Sequence, residues 1–521
     1  MDLTNNFIPK DVKKIHIIAA CGTGMGALAC MLQDMGFEVT GSDQNIYPPM
    51  SDFLIEKGVR LFKGFSPSNF LALQSRLEGD IEETTQPNKL KTPDLVIIGN
   101  AVTRDNVEAA AVMENGIPYC SMPQALNHFF AKNKKILIVT GTHGKTTTSS
   151  LLAHVLNEAG LDPSFMIGGI VKEFNSNYRV GKGDYIVIEG DEYDTAFFDK
   201  GPKFMHYTPY AAIITSVEFD HADIFRDIDH IKDAFRKFVS KIPQQSFIIA
   251  CGEDLNLPEI LESAICPIQY YGDGSYDWSY SNLKVENGYT NFLLKRAVNA
   301  ILQKDMLQED GSNSNNRANN SIGSISLDTD SLQITTPLMG RHNAMNTLAV
   351  FGVAKQIGIA DDVIVKALKT FAGVRRRQDI RGVKRGITVM DDFAHHPSAV
   401  RETIAGVKPF FQDGRLIAVF EPRTNSSMRD IFQNDYPKAF DGADIVCIRK
   451  PSMLSKVPED QRMDTQKLVQ DIVKRGINAF YFDDTESIID FLTAESKQGD
   501  LILIMSNGGF DNIHQRVLEK L

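Results

Sequence analysis

Cysteine is scarce in this chain and falls into no pattern. Cys21, Cys30, Cys120, Cys251, Cys266 and Cys447 are scattered through 521 residues, and none forms a C-x-x-C pair. That excludes a disulfide framework and predicts buried, reduced thiols in a cytoplasmic protein. Long apolar runs are also missing, and nothing approaches the roughly 20 residues that a membrane-spanning helix needs. The opening Met1-Asp-Leu-Thr-Asn-Asn6 has no basic segment ahead of an apolar one, so no secretory signal is predicted. Nor is there an excess of positive charge. A formal net charge of −11 argues against a surface built for nucleic-acid phosphates or an anionic membrane, while leaving room for a local basic pocket. What is present is length and apolar content. With 521 residues, 43% of them hydrophobic, the chain can bury several cores. About three domains are expected at roughly 100–200 residues each.

The most informative stretch is Ile136-Leu-Ile-Val-Thr-Gly-Thr-His-Gly-Lys-Thr-Thr-Thr148. Ile136 to Val139 reads as a buried strand, Gly141 to Gly144 as a tight loop, and Thr147 to Ala159 as a helix with Leu151, Leu152, Val155, Leu156 and Ala159 on one face. This is a phosphate cradle: loop N–H groups and a helix N-terminus face an anion, Lys145 adds charge, and Thr146 can ligate magnesium. The two glycines stand two residues apart instead of the usual four, which weakens an ordinary kinase or GTPase reading.

A second glycine motif lies nearer the N-terminus. A strand His16–Ala20 runs into Gly22, Gly24 and Ala27 in a G-x-G-x-x-A pattern, and Asp43 ends the next strand about 20 residues on. The pattern specifies a pyrophosphate at a helix N-terminus and an acid near a ribose. NAD and UDP both carry these groups, so the motif alone does not choose between them.

Two apolar strands downstream end in acidic clusters. Asp184–Ile188 leads into Glu189, Asp191, Glu192 and Asp194, and Ala211–Thr215 leads on to Glu218, Asp220, His221 and Asp223. In open parallel sheets ligands sit at the carboxyl ends of strands, where such groups suit a magnesium ion shared with phosphate oxygens. The stretch 74–92 reads as a polar loop or insertion, and 308–330, rich in Asn, Ser and Gly, as a flexible excursion. Beyond Pro337–Gly340, strands and helices alternate to the C-terminus, predicting a third α/β unit with a mainly parallel sheet.

These stretches, with Gly41–Ser51, Gly99–Arg104, Glu421–Asn425 and Ile504–Phe510, resemble the Mur ligase family over nearly the whole chain. Within it they resemble the members that act on UDP-N-acetylmuramate. The resemblance implies three domains: a Rossmann-like UDP-muramate-binding domain over 1–132, a central P-loop ATPase-like domain over 133–337, and a Rossmann-like α/β domain over 338–521. The third would close on ATP and bind the acceptor. It implies ATP and Mg²⁺ as cofactors, UDP-N-acetylmuramate and the murein tripeptide L-alanyl-γ-D-glutamyl-meso-diaminopimelate as small-molecule substrates, and free L-alanine as the alternative acceptor.

Site residues carry over by position. Gly22, Thr23, Gly24, Met25, Gly26, Asp43 and Asn100 would hold UDP. Gly141, Thr142, His143, Gly144, Lys145, Thr146 and Thr147 would hold the phosphates of ATP. Asn343 and Asn346 would lie on the adenine side, Asp392 at the ribose and Arg377 near the γ-phosphate. Thr146, Glu189 and His221 would bind magnesium, with Lys145, His221 and Arg377 catalytic. At the acceptor pocket, L-alanine ligases carry Gln-Pro-His-Arg-x-x-Arg where this chain has Glu421-Pro-Arg-Thr-Asn-Ser-Ser427. Replacing two cations by Thr424 and Ser427 favours a longer acceptor met by Arg423, Arg429 and His395.

Overall fold

The computed structural model describes residues 3–46, 50–71, 92–222, 224–297, 330–452, 454 and 457–521. The polar stretches 74–92 and 308–330 fall outside these residues except for Thr92 and Asp330, as does Asp223. The chain forms two compact units. One comprises Met1–Ile138, Leu161–Gly168 and Asn177–Pro209; the other comprises Val139–Gly160, Gly169–Ser176 and Tyr210–Leu521.

The first unit is built on a parallel sheet of five strands in the order Arg60–Lys63, Glu38–Asp43, Lys14–Ile18, Leu95–Ile98, Tyr119–Ser121. Leu95–Ile98 is buried along its length, as expected of a central parallel strand covered on both faces. Helix Thr23–Asp34 follows the first strand and buries an unbroken run from Met25 to Leu32. The strand order reverses direction between Lys14–Ile18 and Leu95–Ile98, the position at which doubly wound sheets open a ligand crevice. Strand Tyr185–Gly190 also belongs to this unit and pairs parallel with Ser164–Met166.

The second unit contains two sheets. One runs from the end of strand Lys135–Thr140 through Ala211–Ile214, Phe247–Cys251, Ile268–Gly272 and Trp278–Glu286 in parallel, then adds Tyr289–Arg296 and Asp330–Thr336 antiparallel. The antiparallel strands were not expected from the sequence. Helices Lys145–Glu158 and Arg341–Gln356 pack together, and Phe351 of the latter meets the buried Trp278 ring. The first starts earlier than its apolar spacing predicts, at Lys145 instead of Thr147, and the second starts at Arg341. Each follows a glycine at positive φ, Gly144 (79°) and Gly340 (92°), and that turn ends the preceding loop abruptly.

The other sheet has the order Asp379–Lys384, Ile387–Asp392, Leu501–Met505, Leu416–Phe420, Ile445–Arg449, Asn478–Phe482. Only its first strand is antiparallel, matching the expected mainly parallel unit. Alternation along Leu416–Phe420 splits its side chains between two cores. Leu416, Ala418 and Phe420 face helix Pro397–Val407 residues such as Val400 and Ile404, while Ile417 and Val419 face Ile489 and Leu492. Among the described residues no helix is long and apolar enough to cross a membrane.

Candidate functional site

The phosphate loop is pinned to the segment after strand Ala211–Ile214. The Thr142 N–H donates to the Ser216 carbonyl at 2.8 Å, the His143 N–H to Ser216 Oγ at 3.1 Å, and the Glu218 N–H to Thr142 Oγ1 at 2.8 Å. Gly141 has φ 124°, and a Cβ there would collide with Thr215 and Ser216. A Cβ on Gly144 would come within 2.9 Å of Asn346 Oδ1. Both glycines therefore serve backbone conformation and close approach. Lys145 opens the helix and reaches back over the loop, with Nζ 2.5 Å from the Gly141 carbonyl and 3.2 Å from that of Thr142. Thr146 and Thr147 are buried in the first turn, and Gly169 packs beneath Thr146, where a Cβ would meet its methyl at 2.8 Å.

The other expected nucleotide residues gather around this loop within the same unit. Arg377 Nη2 donates to Thr146 Oγ1 at 3.2 Å, and its guanidinium lies 4.4 Å from the Phe393 ring centroid. Asn346 Nδ2 donates to Asn343 Oδ1 at 3.1 Å, and Asn343 Nδ2 to Gln378 Oε1 at 3.0 Å. Asp392 is buried and accepts from the N–H groups of Gln378 and Ala394, both at 2.8 Å. Burial pushes its carboxyl up, against the pull of the Arg377 charge. Gln378 thus links the asparagines to Asp392. Neither it nor the Phe393 ring was singled out from the sequence. Gln378 has φ 47°, a backbone feature that leaves no local motif.

His221 also takes the left-handed conformation, φ 54°, and its N–H donates to Asp220 Oδ1 at 2.7 Å. Asp220 in turn lies 3.6 Å from His395 Nε2, while His395 Nδ1 is 3.0 Å from the Phe393 carbonyl. Burial opposes ionisation of Asp220, but the neighbouring imidazoles of His395 and His221 hold it well below the usual carboxylate range. In the first unit, Glu189 Oε2 accepts the Gly168 N–H at 2.7 Å. A Cβ on Gly168 would lie 2.9 Å from Glu189 Oε1, so a side chain there would push the carboxylate aside.

The first unit also holds the second glycine motif, at the predicted crevice. Gly22, Met25, Asp43 and Asn100 line a cavity of about 430 Å³. Asp43 braces it, accepting the Cys21 N–H at 2.9 Å and the Asn45 N–H at 3.0 Å. Thr23, Gly24 and Gly26 are not among the lining residues. Thr23 and Gly24 open the helix, and Gly26 gives room to the Met50 side chain.

The acceptor candidates lie in the second unit. Arg423 rests on Gly508, where a Cβ would clash with its guanidinium. It lies 3.7 Å from the buried Glu421, which also accepts from Ser506 Oγ at 2.7 Å and Arg449 Nη1 at 3.3 Å. Arg429 donates to Gln461. Thr424 and Ser427 close their own turn: the N–H groups of Arg423 and Thr424 donate to Ser427 Oγ at 3.0 and 2.9 Å. Small hydroxyls at both positions build this turn.

This arrangement, an anion cradle with two cations beside a buried asparagine and aspartate cluster, suits phosphoryl transfer from a nucleoside triphosphate. Family models agree with it along the chain. "Mur ligase family, catalytic domain" matches residues 14–134, "Mur ligase middle domain" 139–354, and "Mur ligase, glutamate ligase domain" 375–508. The chain belongs to the Mur ligase family, with its three-domain α/β architecture, and is an ATP-dependent amide-bond-forming ligase. It is 36% identical over 510 residues, 98% of each chain, to the UDP-N-acetylmuramate–L-alanyl-γ-D-glutamyl-meso-2,6-diaminoheptandioate ligase of Escherichia coli. It is 30% identical over 505 residues, 96% of each chain, to the UDP-N-acetylmuramate–L-alanine ligase of Clostridium tetani. Among solved structures, a murein peptide ligase from Psychrobacter arcticus superposes with a TM-score of 0.66 at 31% identity, covering 98% of both chains.

Proposed function

We propose that this ligase joins the lactyl carboxylate of UDP-N-acetylmuramate to the amine of L-alanyl-γ-D-glutamyl-meso-diaminopimelate, in the cytoplasm, as a step of murein recycling. The observation that carries the reading is the 36% identity over 98% of both chains to the Escherichia coli ligase of that name. The hydroxyl-built turn supports it, because Thr424 and Ser427 stand where L-alanine ligases carry two cations.

A carboxylate oxygen of the muramate attacks the γ-phosphorus of ATP, and ADP leaves. The acceptor nitrogen then attacks the acyl carbon, and phosphate leaves. Both steps build negative charge, which preorganised donors offset. Lys145, the loop N–H groups and Arg377 are the protein's own positive groups at the phosphates. Asn343, Asn346 and Asp392 hold the nucleoside end. Gly22, Met25, Asp43 and Asn100 hold the UDP, with Thr23, Gly24 and Gly26 shaping the turn. His395, Arg423 and Arg429 meet the acceptor. Thr146 and Glu189 offer the hydroxyl and carboxylate oxygens that magnesium takes, and His221 would stand at a second ion; magnesium, when bound, would add positive charge at the phosphate oxygens. We assign these roles to three domains bounded at 132 and 337.

The test is ADP release from ATP, Mg²⁺ and UDP-N-acetylmuramate with either acceptor, and the product's mass. Tripeptide-dependent release with a tripeptide adduct is expected. Release with L-alanine alone would transfer the chain to the second reading, which the 30% identity to the alanine ligase favours.

A further inference from the structure

Three ligand-type side chains converge in the second unit, of which Glu218 alone belongs to an acidic cluster read from the sequence as suited to magnesium. His143 belongs to the phosphate loop, Glu218 to the segment after strand Ala211–Ile214, and His396 caps helix Pro397–Val407. One donor atom from each lies within 4.8 Å of the other two. Glu218 Oε2 is the hub, 3.6 Å from His143 Nε2 and 3.7 Å from His396 Nδ1. These separations are too long for hydrogen bonds. They are close to the donor–donor edge of about 3.4 Å that tetrahedral zinc sets with arms of roughly 2.0–2.1 Å.

The Nε2 atom of His143, which faces Glu218, is sealed from solvent and makes no hydrogen bond, while His396 faces Glu218 with its Nδ1. His396 is 5% exposed, with its ring edge-on to Phe432 at 4.6 Å and 4.8 Å from the ring of His143. Its Nδ1 accepts only a 3.3 Å contact from the Ser398 N–H. Ser398 Oγ donates to Glu218 Oε2 at 2.7 Å, the kind of outer contact that orients a ligating carboxylate. Two imidazoles and a carboxylate with room for a solvent ligand suit zinc and its first-row neighbours. Magnesium prefers an all-oxygen octahedron.

We propose that His143, Glu218 and His396 form a binding site for a zinc-class divalent cation. A cation held there ties the phosphate loop to the start of helix Pro397–Val407, so it fixes the spacing between two elements that also carry the nucleotide contacts. The site uses no residue of the acceptor pocket and holds for either acceptor.

The experiment uses the chelator-treated full chain in a large excess of Mg²⁺, titrated with Co²⁺ and then Zn²⁺. One equivalent of Co²⁺ with strong visible absorption, displaced by Zn²⁺, is expected. His396→Gln should weaken Co²⁺ binding at least tenfold, and Ser398→Ala about tenfold through the loss of the outer contact. Glu189→Gln should leave it unchanged. If His396→Gln fails to fold, judged by its circular dichroism, His143→Asn takes its place. Absence of Co²⁺ binding in Mg²⁺ overturns the proposal. So does unchanged affinity in the histidine variant, or loss of the signal in Glu189→Gln, which would assign the ion to the magnesium donors.

Discussion

At the scale of single residues, the phosphate loop makes the sharpest demands. Lys145 is the one loop cation, and in the proposed mechanism removing it would take a preorganised charge from both chemical steps. Lys145→Ala should lower kcat/KM for ADP release by about 10²–10³-fold, the usual loss for one such donor. Gly144→Ala has a different target. Forcing an L side chain to φ 79° costs about 1–2 kcal/mol, and the added methyl crowds Asn346. Urea denaturation should show that loss even without ligands. His342 offers a pH test. Its Nδ1 is sealed and unpartnered, and burial lowers its pKa to about 4. The unfolded chain binds the proton below about 6.5, whereas the folded protein resists it until about pH 4. The contribution is therefore complete above pH 6.5 and is lost as pH falls towards 4. Roughly 2–3 kcal/mol should disappear across that window, and His342→Gln should flatten the slope, followed by chemical denaturation at a series of pH values.

At the scale of elements, what could be read in advance depended on how local the cause was. The strand, glycine loop and helix at 135–158 were legible because their signals lie within one short stretch. Lys145 was legible in that same stretch, whereas Arg377 was legible only through resemblance, since 231 positions separate it from Thr146, whose hydroxyl it meets. Gln378 and Gly168 left no such trace, because their roles arise from a positive φ and from a carboxylate lying over a backbone. The strands Tyr289–Arg296 and Asp330–Thr336 were missed for another reason. They are polar, antiparallel and at a sheet margin, without the continuous apolar run of the parallel strands. Where that run exists, packing sets the stability. Ile417→Ala on the fully buried strand Leu416–Phe420 should cost about 2–5 kcal/mol. Val383→Ala, 63% exposed, should stay within about 0.5 kcal/mol. Thermal melts of the two variants would compare them directly.

At the scale of the whole molecule, the nucleotide contacts proposed for the second unit come from both of its sheets. Arg377 Nη2 donates to Thr146 Oγ1 at 3.2 Å, Asn343 Nδ2 to Gln378 Oε1 at 3.0 Å, and the Gln378 N–H carries the link on to Asp392 at 2.8 Å. A ligand that touches all of these couples their unfolding. ADP at a hundredfold its Kd should stabilise this unit by about 2.7 kcal/mol and raise the calorimetric transitions of both sheets together. Movement of one transition alone would place the nucleotide on a single sheet. His221 carries a further consequence. Its left-handed backbone, φ 54°, is a conformation that glycine or asparagine adopts more cheaply. A library of variants at position 221 screened for soluble expression would drift towards those two residues. The same library screened for cell-wall rescue would return to histidine, and the gap between the two screens would measure how far the demands of chemistry outrun those of folding.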